Sequence, residues 1–129
     1  MILSLVAIAS GGAIGAVARF ATVMLSIRLF GAKFPFGTLL VNSIGSFLAG
    51  FLMVLIMSRF AATDTLRLFL VVGFLGAFTT FSSFSWETWA LIQSGEIQSA
   101  FLNIFLNNFF SLGLAFVGIN VARWLEGGF

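Results

Sequence analysis

The sequence predicts an all-α membrane protein of four transmembrane helices, the third broken in mid-membrane. Three observations carry this prediction. First, 60% of the 129 residues are hydrophobic and 8% are charged, and mean hydropathy is +1.17. A soluble domain of this size has no interior large enough for so much apolar surface. Second, charged and turn residues divide the chain into four apolar segments, each near the roughly 20 residues that a bilayer core requires. Third, one segment contains Gly73-Phe74-Leu75-Gly76-Ala77-Phe78-Thr79-Thr80-Phe81-Ser82-Ser83-Phe84-Ser85. Glycine and threonine weaken a helix, and hydroxyls compete for its backbone hydrogen bonds.

In chain order the predicted spans are 3–27, 37–58, 68–92 and 101–124. The N-terminal Met1-Ile2-Leu3-Ser4-Leu5 lacks the basic start of a secretory signal, so the first segment is read as a retained span. It ends at Arg28, before a loop that holds Pro35, the only proline. Arg59, Thr63, Asp64 and Arg67 mark the second loop. The third span is interrupted near 76–79, and the polar stretch 93–98 separates it from the fourth. Residues 1–129 read as a single four-helix transmembrane domain.

The chain has no cysteine and no histidine, which excludes disulfides, thiolate metal sites and the usual general base. An intramembrane enzyme would also need a nucleophile beside a base, and no Ser-Lys pairing falls within the spans. The six basic residues are scattered, so no nucleic-acid surface is expected. Arg59, Arg67 and Arg123 lie on the side of the termini. Arg28 and Lys33 lie on the other side, with Arg19 nearer to it. Lys/Arg excess orients membrane proteins, and here it is almost absent. Two readings stand: one weakly biased orientation, or insertion both ways with pairing into an antiparallel dimer. Four helices barely enclose a pathway, which favours oligomerisation.

Two polar stripes run along apolar helices. Thr38, Asn42 and Ser46 recur every four residues in the second span, and Asn103, Asn107 and Ser111 do so in the fourth. That spacing puts each set on one helix face. Such groups are costly against lipid and should face protein or water. They read either as interhelical hydrogen bonds or, for two parallel stripes, as a polar lane for a solute. The pairs Gly11/Gly15, Ser46/Gly50 and Gly118/Ala122 read as close helix packing. Arg19 either snorkels to the interface or gives a pore mouth a positive potential. Glu87, the one acid inside a span, lies off-centre. Phe81 and Phe84 share a helix face just after the break, and a ring edge turned to a pore favours a small anion without trapping it. Carbonyls freed at 76–79 favour a small cation.

The stretch 76–85 resembles the third-helix signature of the Fluc (CrcB) fluoride channels. Gly11-Gly12-Ala13-Ile14-Gly15-Ala16-Val17-Ala18-Arg19-Phe20 resembles the Gly-rich first helix of that family. Phe36-Gly37-Thr38-Leu39-Leu40-Val41-Asn42 is similar to the opening of its second helix. The match covers nearly the whole chain, and the third-helix motif is its most specific part.

The resemblance implies a dual-topology, antiparallel homodimer in a microbial inner membrane, surrounded by lipid, with two pores that passively export cytoplasmic fluoride. It implies a pathway past Phe81, Phe84 and Asn42, together with Thr38, Ser46, Thr80, Arg19, Asn103, Asn107 and Ser111. It also implies a structural Na+ held at the dimer interface by the backbone carbonyls of Gly76 and Thr79. Many relatives carry His or Tyr along the fourth-helix track, where this chain has asparagines. A small multidrug-type proton-coupled transporter is the alternative of similar size. It would need a glutamate in the first helix, where this chain has only Arg19.

Overall fold

The computed structural model describes residues 1–58 and 64–127. Arg59 and Thr63, used above to mark a loop and one side of the charge balance, lie outside the described residues. The elements are α1 (Ile2–Phe30), α2 (Phe36–Ser58), α3 (Asp64–Arg67), a π-helical run (Leu68–Leu75), α4 (Gly76–Phe78), α5 (Phe81–Gln93) and α6 (Ile97–Leu125). Among the described residues four helical stretches are long and apolar enough to cross a membrane, the third of them spanning Asp64–Gln93. Each begins before its predicted start, because the backbone is already helical in the polar flank. The connections are tight: Gly31 (φ 82) ends α1 and Gly95 (φ 81) turns the chain from α5 into α6. Left-handed φ values of this kind suit glycine alone among ordinary residues.

α6 packs mainly on α2, and α1 on the π-helical run. Glycines explain both pairings. A Cβ at Gly11 or Gly15 would collide with the backbone of Phe69 or Phe74, and one at Gly73 would lie 2.7 Å from the Ile8 carbonyl oxygen. Gly50 and Gly118 play the same reciprocal role between α2 and α6, against Ala115 and Phe47. Without a hydrophobic drive in lipid, such close approach is what holds helices together. Few side chains are fully buried; Val41 and Asn103 are the largest below 2% exposure. Ile14, Val17, Phe20, Phe105, Phe109 and Phe116 face outward, as an apolar surface against lipid requires.

The third span departs from expectation in two ways. The run before the break is π-helical rather than α-helical. Gly76 also does not leave the helix (φ −60, ψ −34), because its N–H still bonds the Val71 and Gly73 carbonyls. The break falls at Thr79 (φ −84, ψ 155) and Thr80 (φ −150, ψ 116). Residues 76–78 are therefore helical; of the predicted 76–79 only Thr79 leaves the helix, and Thr80 continues the interruption.

Candidate functional site

The break at Thr79–Thr80 frees backbone groups that membrane-buried chain must satisfy internally. Asn42 on α2 meets most of this need. Its Oδ1 accepts the Thr80 N–H at 2.8 Å, and its Nδ2 donates to the Thr80 carbonyl at 3.0 Å. One side-chain amide thus pairs with both sides of one residue's backbone. The Thr79 N–H and hydroxyl both turn back to the Leu75 carbonyl, each at 3.0 Å. Gly45 makes room for the Thr79 methyl, which occupies the place a Cβ there would take.

Each half-helix is capped. Thr80 is the N-cap of α5, its Oγ1 accepting the Ser83 N–H at 3.1 Å. Arg19 Nε donates to the Ala77 carbonyl at 2.9 Å. A cation beside the last carbonyls of a helix also opposes its dipole. Arg19 is therefore tied to the broken helix rather than extended to the interface. The carbonyls of Gly76 and Thr79 accept none of these bonds, and both residues line the open groove beside the break.

That groove, of about 470 Å³, is walled by Asn42, Ser46, Thr79, Thr80, Phe81, Phe84, Asn107 and Ser111, among others. The rings of Phe81 and Phe84 lie 5.3 Å apart at 60°. Phe81 is 78% exposed in the single chain, whereas Phe84 is buried. A second cavity of about 240 Å³ holds Arg19, Thr38, Ser83 and Glu87. Thr80 lines both cavities, so the two adjoin at the break.

The two sequence stripes face each other there. Asn42 Nδ2 donates to Asn107 Oδ1 at 3.1 Å. Thr38 donates to Glu87 Oε1 at 2.7 Å. Asn107 Nδ2 reaches Asn103 Oδ1 at 2.9 Å, and Asn103 Nδ2 reaches Thr88 Oγ1 at 3.0 Å. Four of the six stripe residues are therefore committed to hydrogen bonds within the fold. Ser46 and Ser111 have no hydrogen-bond partner among the described residues and line the groove. Asn103 lies behind it, fully buried.

Sequence reasoning missed Thr88 and the Thr38–Glu87 pair. Thr80, Phe84 and Thr88 recur every four residues, a signal that would have placed Thr88 on the face of Phe84.

Four apolar spans around two adjoining cavities, each edged with polar side chains, define a multi-pass membrane protein. The family model of CrcB-like proteins (camphor resistance, CrcB) matches residues 6–119. The chain is 47% identical over 119 residues to the fluoride-specific ion channel FluC of Legionella pneumophila (strain Lens), covering 92% of this chain and 89% of that protein. It is 46% identical over 125 residues to FluC of Roseiflexus sp. (strain RS-1), covering 95% and 99%. It is 48% identical over 118 residues to FluC of Hydrogenovibrio crunogenus (strain DSM 25203 / XCL-2), covering 92% and 89%. The chain belongs to the CrcB family.

Proposed function

We propose that this protein is a fluoride-selective channel of the cell inner membrane, passively exporting fluoride from the cytoplasm. The observation that carries the reading is the pair of cavities that adjoin at a break in the third span, in a chain whose relatives are named fluoride-specific ion channels. Fluoride enters a cell as its neutral weak acid, ionises in the less acidic interior and is trapped. An anion path returns it down its electrochemical gradient. Neutral donors and ring edges bind a small anion weakly enough to release it. Ser46, Ser111, Asn108 and the Phe81–Phe84 pair are groups of the groove suited to this, with Arg19 supplying positive potential at the second cavity.

Fluoride efflux from liposomes holding the purified protein tests the reading, with chloride as control. Rapid fluoride loss with negligible chloride loss is expected; no fluoride loss refutes it. In the same assay Phe81→Ile or Phe84→Ile should lower fluoride efflux about tenfold or more, since an aliphatic group has no electropositive edge. Efflux equal to the parent's would remove the rings from the pathway.

The working unit in this reading is an antiparallel homodimer. The near balance of Lys/Arg across the membrane and a groove open on one side favour a second copy as its missing wall. The carbonyls of Gly76 and Thr79 fit a small cation by their chemistry, being hard oxygen donors left outside the capping bonds. Held there, Na+ would neutralise the negative end of the broken helix. Oligomeric mass in detergent, in sodium against a large organic cation, reads both ideas together. A dimer that loosens without sodium is expected. A monomer in both contradicts the dimer, and a dimer equally stable in both contradicts the cation site.

A further inference from the structure

The polar groups around the break form one directed chain. Asn42 Nδ2 donates to Asn107 Oδ1, Asn107 Nδ2 to Asn103 Oδ1, Asn103 Nδ2 to Thr88 Oγ1, and Thr88 Oγ1 to the Phe84 carbonyl at 2.8 Å. Both ends are anchored in backbone, at Thr80 and at Phe84. Each anchor admits one orientation. The Thr80 N–H requires an oxygen of Asn42, which turns the Asn42 amine toward Asn107. The same logic passes through Asn107 and Asn103 to Thr88. Hydrogens are also used up along the chain. Asn42 donates to Thr80 and Asn107, and Asn107 donates to the Oδ1 and the backbone oxygen of Asn103. Asn42 and Asn107, two of the three asparagines that line the groove, therefore keep no amide hydrogen for a passing anion; the third, Asn108, donates to the Ile104 carbonyl at 2.8 Å. Asn103 and Thr88 line neither cavity, and they are 0% and 8% exposed.

We propose that Asn103 and Thr88 are positioning residues of the ion path: through Asn107 they lock the Asn42 amide, and so hold Thr80 extended where the two cavities meet. The inference rests on the channel reading above. It removes Asn103 and Asn107 from the list of ion ligands and gives them, with Thr88, the task of holding Thr80 in place between the two cavities. A buried network of this kind acts as a unit, so losing one member disturbs the others. The chain Thr80–Asn42–Asn107–Asn103–Thr88–Phe84 also brackets Phe81 and Phe84 from both sides, tying ring placement to the break.

The test is fluoride efflux per folded protein for Thr88→Val, Thr88→Ser, Asn103→Leu and the Thr88→Val/Asn103→Leu double variant. Valine keeps the shape of threonine and leaves the Asn103 amine without its acceptor. Thr88→Val should lower efflux about tenfold, as one lost buried hydrogen bond implies, and Thr88→Ser should restore it to within about twofold. Asn103→Leu should cost a similar factor, and the double variant no more than the worse single one. Unchanged efflux in Thr88→Val, failure of serine to rescue, or additive losses would overturn the positioning role. A parent that does not conduct fluoride would instead refute the channel reading, which keeps the two failures apart. A second measurement needs no variant. In parent protein labelled with 15N on asparagine, the Asn103 side-chain signals should stay fixed as fluoride rises through the range that saturates efflux. Movement of those signals over that range makes Asn103 an ion ligand and overturns the proposal.

Discussion

Asn42→Asp is expected to lower fluoride efflux about a hundredfold while leaving the size of the side chain almost unchanged. Hydrogen-bond donors and acceptors set the size of the loss. In the parent the Asn42 amine donates to the Thr80 carbonyl and to Asn107 Oδ1, at 3.0 and 3.1 Å. A carboxylate cannot donate, so both contacts become oxygen against oxygen. A buried acceptor that loses its donor costs about 1–3 kcal/mol. Two such losses near the low end come to about 3 kcal/mol, or about two orders of magnitude in the population of the conducting arrangement. The fixed negative charge beside the groove adds an electrostatic barrier to an anion. Efflux from liposomes, counted per folded protein, measures the effect. Parent-like efflux in Asn42→Asp would mean that the break does not depend on this clamp.

Gly15→Ala is expected to destabilise the fold by up to about 2 kcal/mol, whereas Gly12→Ala is expected to be neutral or stabilising. Alanine is the better helix former by about 1 kcal/mol, so propensity alone favours both changes. Sterics separate them. A Cβ at Gly15 enters the Phe74 carbonyl, which is backbone and yields only if the third span moves away from α1. A Cβ at Gly12 finds the Gly73 oxygen at 3.8 Å, an ordinary contact. Overpacking against rigid atoms costs about 1–3 kcal/mol, enough to reverse the propensity gain. Thermal stability of the detergent-solubilised protein, followed by size-exclusion recovery, measures both variants. Equal stability of the two would show that α1 does not pack on the third span through Gly15.

The four spans were legible because apolar length and charged boundaries are properties of sequence alone. The polar stripes were legible because their period matches the helix. Their use was not. Spacing places Asn42 and Asn107 on faces, but only the fold reveals that they meet and that their hydrogens are spent on Thr80 and on Asn103. Gly76 misled the placement of the break, since glycine weakens a helix without obliging it to end. Thr79 and Thr80 end it, because a threonine hydroxyl caps the next helix and Asn42 replaces the lost helical bonds. The π-helical run at Leu68–Leu75 had no signal in the sequence. Nothing in an apolar string distinguishes wide turns from ordinary ones, and its packing on Gly11 and Gly15 is a tertiary property.

The chain's lack of cysteine allows a direct test of where the ion travels. Ser46→Cys and Ser111→Cys each place one thiol in the groove beside the break, and Ser94→Cys places one on the exposed turn between α5 and α6. Fluoride efflux is measured before and after treatment with a small water-soluble thiol reagent. The account predicts that modification blocks efflux in both groove variants and leaves Ser94→Cys unaffected. Complete modification of the introduced thiol in Ser46→Cys and in Ser111→Cys, with undiminished fluoride efflux, would contradict it, because the ion would then be passing elsewhere.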